Sequence, residues 1–66
     1  MARIDKDTVI EQMKKDGIRS QSKLAEELKM DYRYLNKLLN GKPFNSTTLQ
    51  RIADRLQVHP GEIVAQ

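Results

Sequence analysis

The chain reads as all-α, a compact bundle of five short helices, on three observations. Apolar residues recur at helical spacing in successive segments. A residue suited to capping stands ahead of nearly every segment. Sixty-six residues without a cysteine make one small domain, expected to span 1–66.

Asp5 or Asp7 can cap a first helix running to about Asp16, with Val9, Ile10 and Met13 as its apolar stripe and Gly17 as its stop. Ile4 and Ile18 are placed to cover its two ends. Ser20 caps a second helix in which Leu24, Ala25 and Leu28 share one face, while Ser22, Lys23, Glu26 and Glu27 point elsewhere. Asp31 caps a third, so the break between the two is confined to Lys29 and Met30. Such a short break forces a steep crossing and leaves the third helix projecting, with Tyr32 and Arg33 foremost.

In that third helix Leu35 and Leu38 face inward, and Arg33, Asn36, Lys37 and Asn40 fall within an arc of roughly 100° on the opposite side, flanked by Tyr32. Tyr34, on the far edge, is expected half-buried against the fourth helix. Gly41, Lys42 and Pro43 end the segment, and Phe44 reads as a core plug rather than a wedge between bases. Ser46 then caps a fourth helix whose Leu49, Ile52, Ala53 and Leu56 fit the i, i+3, i+4, i+7 template. Pro60 suits the first position of a short fifth helix, with His59 near its cap. No internal repeat, low-complexity tract or linker interrupts the series.

The projecting helix carries the functional signal. Every outward residue on it donates hydrogen bonds and two are cationic, a combination that suits base edges and phosphate oxygens together. Charge is distributed to match. The net charge is +3, and Lys29 to Arg51 holds five basic residues against one acid, Asp31. The excess therefore sits on the third helix and its exit, as a polyanionic partner requires.

Set out along the chain, Gln21, Leu24-Ala25, Leu35, Asn40-Gly41-Lys42, then Leu49, Ile52, Ala53 and Leu56, and the closing VHPGEIV, resemble the Cro/C1-type helix-turn-helix family of phage repressors and small bacterial regulators. The resemblance covers nearly the whole chain. It implies a lambda-repressor-like DNA-binding domain with the helix-turn-helix at helices two and three. One position departs from the pattern: the turn residue that is usually Gly is Lys29. A positive φ there costs an ordinary side chain roughly 1 kcal/mol.

Candidate roles follow residue by residue. Arg33 can meet guanine O6 and N7 bidentately, Lys37 offers guanine a single donor, and Asn36 can read adenine N6 and N7 or reach phosphate. Tyr32 can pack on a thymine methyl or bond to the backbone. Gln21, opening the second helix, is assigned to phosphate by the resemblance. Asn40 and Lys42, where the chain leaves the groove, and the backbone amides of Thr47 and Thr48 are the other phosphate candidates.

One such helix covers too few base pairs to single out a site in a genome. The resemblance accordingly implies a homodimer on a pseudo-palindromic double-stranded operator; Val58, Ile63 and Val64 are the apolar candidates for pairing, and closing the monomer core is an equal role for them. The leading reading is a sequence-specific repressor that occludes a promoter. The alternative is a protein-interaction module, such as an antitoxin-like component. Glu26 and Glu27, beside the groove, are candidates for touching polymerase in an activating variant.

Other classes are disfavoured. The chain has no room for an enclosed catalytic cleft, and His59 with Glu62 is neither a metal site nor a triad, so no enzyme is expected. No cofactor, metal or small-molecule ligand is implied. No apolar run reaches membrane-span length and no signal peptide is evident; with cysteine absent, the expected location is the cytoplasm.

Overall fold

Side-chain caps begin all four α-helices found among the described residues, which in this computed structural model are 2–65; positions 1 and 66 of the expected domain lie outside them. Asp5 accepts from the Thr8 amide (3.2 Å) to open α1, Lys6–Lys15. Ser20 Oγ accepts from the Lys23 amide (3.1 Å) at α2, Gln21–Leu28, and Asp31 accepts from the Arg33 amide (2.7 Å) at α3, Tyr32–Leu39. For α4, Ser46–Leu56, the cap is Asn45, whose Oδ1 accepts from the Thr48 amide at 2.7 Å. This corrects the expectation for Ser46, which becomes the first residue inside the helix. Each cap satisfies one of the amide donors that a helix start leaves without an intrahelical partner.

All four α-helices close through a residue of positive φ; after α3 it is Gly41 (φ 107°), where the Lys42 amide returns to the Lys37 carbonyl at 2.9 Å. After α1, Gly17 (φ 73°) lets the Ile18 amide return to the Met13 carbonyl at 2.8 Å. After α2, Lys29 (φ 54°) does the same for the Met30 amide and the Ala25 carbonyl, 2.9 Å; after α4, Gln57 (φ 60°) does so for Val58 and Ala53, 3.0 Å. The positive φ anticipated at Lys29 is therefore present, and the motif is the helix-closing turn that glycine enters without a Cβ penalty.

The expected fifth helix is instead a 3-10 turn, Pro60–Ile63, followed by a two-residue strand. Pro60 lacks an N–H, the segment is only four residues long, and the Glu62 carboxylate accepts from the His59 amide (2.7 Å), which tightens the turn. The chain then enters β2, Val64–Ala65, which pairs antiparallel with β1, Arg3–Ile4, in the register Arg3 to Ala65 and Ile4 to Val64. A two-stranded ladder thus joins the ends of an otherwise helical domain.

The core lies where the four helices and the 3-10 turn converge. Leu24, Leu35, Leu38, Ile52 and Leu56 are fully buried, with Ile4, Val9 and Ile63 sealing it from the terminal ladder and α1. Leu39 is buried as well, giving α3 a third inward leucine that the spacing Leu35, Leu38 alone did not include. Ile10 and Leu49 are half-buried rather than central; Tyr34 is half-buried as expected, and Phe44, expected as a core plug, is only partly buried at the core's edge. Among the described residues, no helix is long and apolar enough to cross a membrane.

Candidate nucleic-acid interface

Three buried leucines, Leu35, Leu38 and Leu39, seat α3 on α2 and β1, so its opposite side must face outward. Eight residues make a cylinder about 12 Å long, and the diameter of such a helix with its side chains, about 10–12 Å, is what the roughly 12 Å width of a DNA major groove admits. Arg33, Asn36, Lys37 and Asn40 are all exposed along it. Tyr32, at the leading end, remains 47% exposed, the one large hydrophobic side chain left outside among the described residues. Arg33 and Lys37 have no ion-pair partner among the described residues.

The polar side chains of this face are connected. Gln21 Nε2, at the start of α2, donates to Asn36 Oδ1 at 3.0 Å. Asn40 Nδ2 donates both to the Asn36 carbonyl (2.6 Å) and to Asn36 Oδ1 (3.2 Å). Lys6 Nζ, from α1, donates to Asn40 Oδ1 at 3.5 Å. Lys6 was not among the residues singled out from the sequence. It lies 34 positions from Asn40, and only the packing of β1 and the start of α1 against α3 brings them together. Arg3, Lys6, Asn40 and Gly41 line a surface concavity at this junction, together with Asp5 and Asp7.

These bonds redefine two phosphate candidates. The backbone amide of Asn40 is already shared between the Asn36 and Lys37 carbonyls (3.1 Å each), and its side-chain nitrogen is engaged on residue 36. Asn40 has no unengaged donor nitrogen for a phosphate and serves as an internal brace. Likewise the Thr48 amide is taken by the Asn45 cap and its side chain is buried, so Thr48 does not present a donor. Thr47, one position earlier, is exposed within the first turn of α4, where amides lack intrahelical acceptors.

Lys42 follows the exit of α3 with its Nζ 5.3 Å from the centre of the Tyr34 ring, a cation–π approach that steadies a cation at the end of this helix. Arg51, counted with the basic stretch, is turned the other way: its guanidinium donates to the Leu28 carbonyl at the end of α2. Glu27 is also engaged, paired with Arg55 of α4, and so does not project freely beside the groove; Glu26 remains outward with Lys23 at 3.8 Å. Of the three pairing candidates, Ile63 is fully buried in the monomer's own core and is withdrawn from that role. The 3-10 turn points it inward against α1 and α4. Val58 and Val64 are half-buried.

A family model described as helix-turn-helix matches residues 10–63, a span that includes α2, α3 and α4 in full. Neither the curated proteins nor the solved structures gave a match.

Proposed function

Because the chain belongs to the helix-turn-helix family and is a DNA-binding regulator, we propose that it is a sequence-specific repressor that occludes a promoter by inserting α3 into the major groove. The observation that carries this reading is the outer face of α3. It holds two cations without acidic partners, an exposed Tyr32 and a braced amide on one rigid helix. Tyr32, Arg33, Asn36 and Lys37 are the base readers in this proposal. Gln21, Lys42 and the Thr47 amide hold the flanking phosphates, as groups that retain a donor on the same side.

A two-fold dimer on an inverted repeat, with half-sites roughly 34 Å apart, supplies the specificity that a single helix lacks. Val58 and Val64 are the residues proposed to contribute to pairing.

Selection from a randomised duplex library at about 0.15 M salt tests the whole reading, because non-specific phosphate binding is weakened there. Enrichment of an inverted repeat is expected. A single enriched half-site would overturn the dimer, and no enrichment would overturn sequence reading in favour of a protein partner. Replacing Lys42 with Ala is expected to weaken all sequences alike and to lower the slope of log affinity against log salt by about one unit.

A further inference from the structure

The amide of Asn36 has a direction, and that direction decides which bases it accepts. Two groups in this network have a fixed polarity. The Asn36 backbone carbonyl can only accept and the Lys6 ammonium can only donate. Asn40 lies between them, so its nitrogen faces the carbonyl (2.6 Å) and its oxygen faces Lys6 (3.5 Å). With Asn40 set, the nitrogen that lies 3.2 Å from the Asn36 side chain must meet an acceptor there, which is Oδ1. Gln21 approaches the same oxygen at 3.0 Å and therefore also donates. Both lone pairs of Asn36 Oδ1 are then occupied. What remains for a ligand is Nδ2 with its hydrogens.

From this the geometry points to Asn36 as a donor-only reader, set by Lys6, Asn40 and Gln21 as positioning residues. The inference rests on α3 being the base-reading helix. Bidentate recognition of adenine needs an acceptor for N6–H and a donor for N7, and Asn36 lacks the first. Guanine presents two acceptors, O6 and N7, and is met by the donor alone. Every base pair offers some acceptor in the major groove, but guanine alone carries two on one base edge, so guanine is ranked above adenine under Asn36. This replaces the adenine role that asparagine suggests in isolation.

Two measurements test it. In the free protein, nuclear magnetic resonance of side-chain amides is expected to show slow solvent exchange for the Asn40 NH₂ and solvent-rate exchange for the Asn36 NH₂. The reverse order overturns the orientation whatever the protein binds. In library selection, Asn36→Ala identifies the pair that Asn36 reads as the one whose preference disappears. At that pair the unaltered protein is expected to favour guanine over adenine about fivefold, the worth of roughly one hydrogen bond. Asn36→Asp keeps the acceptor for Gln21 and Asn40 but turns an oxygen outward, so preference moves to adenine or cytosine, whose amino groups donate.

Asn40→Ala frees the Asn36 amide to rotate, and the guanine-to-adenine ratio falls toward one. Lys6→Met, which leaves the end of α3 intact, produces a smaller fall. Adenine favoured at that pair in the unaltered protein, or no pair responding to Asn36→Ala, overturns the inference while leaving the DNA-reading proposal standing. No enriched sequence at all overturns both.

Discussion

Helices α2 and α3 are equal in length, eight residues each, and each buries three apolar side chains, yet their outer faces end in opposite states. On α2 the charges are closed: Lys23 lies beside Glu26, and Glu27 is paired with Arg55. On α3 Arg33 and Lys37 stay open, while the neutral amides beside them are tied into a network reaching α1 and α2. A polar outer face is what any small domain needs for solubility. Cations without an ion pair occur elsewhere on the chain too, so what marks α3 is that two of them stand with donor amides on one helix face, a grouping that suits an anion.

The contrast can be broken or sharpened experimentally. The largest effect is expected from Leu35→Ala, which removes a fully buried side chain from the seat of α3. A loss of about 2–5 kcal/mol is expected in urea unfolding, with DNA affinity falling as the folded fraction falls; an unchanged midpoint would show that α3 is not seated by this contact. Next comes Arg33→Ala, expected to cost about 1–3 kcal/mol on the preferred site and to relax preference at one base pair. Equal weakening of every sequence would make Arg33 a phosphate contact.

Lys29→Gly addresses the hinge between the two faces. Relief of the left-handed strain is expected to stabilise the fold by about 0.5–1 kcal/mol, less the extra freedom glycine gives the unfolded chain. A drop in melting temperature would mean that the lysine side chain contributes more than the strain costs. The smallest effect belongs to Glu26→Gln on α2. Its exposed partnership with Lys23 makes a stability change under about 0.5 kcal/mol the expectation, with base preference unchanged in selection; an altered preference would extend the reading surface onto α2.

Much of this architecture is legible in the sequence because it is local. The stripes of α1, α2 and α4 and the caps Ser20 and Asp31 follow from spacing within one or two helical turns, the first cap is narrowed to Asp5 or Asp7, and the left-handed turn at Lys29 is read from the family resemblance. The cap of α4 is missed by one position, since Asn45 and Ser46 are both good capping residues. What separates them is which oxygen lies within reach of Thr48, and adjacent residues cannot reveal that. The terminal strands are two residues each, too short to display any alternation, and their pairing is a tertiary event. From the sequence Ile63 suits a pairing patch or the monomer core equally, and the 3-10 turn, which directs it inward, places it in the core.

At the candidate interface, the arc of Arg33, Asn36 and Lys37 needs only helical geometry. Its bracing by Lys6 does not, because a contact between α1 and the end of α3 has no signature within either segment. Leu39 is different: at i+4 from Leu35 it fits the helical template and was legible in principle.

The ladder between β1 and β2 also has a kinetic meaning. Every helix in this domain assembles from neighbours, but Ile4 and Val64 meet only after nearly the entire chain has been gathered in. Closing the longest loop carries the greatest entropic cost, so this pairing belongs at the end of the folding pathway and at the beginning of unfolding. The Asp5 amide, bonded to the Ile63 carbonyl at 2.7 Å, follows the ladder directly and also holds the residue that caps α1. Opening of the ladder is therefore expected to loosen the start of α1, and with it Lys6. The brace on the outer face of α3 is thus coupled to the pairing of β1 with β2.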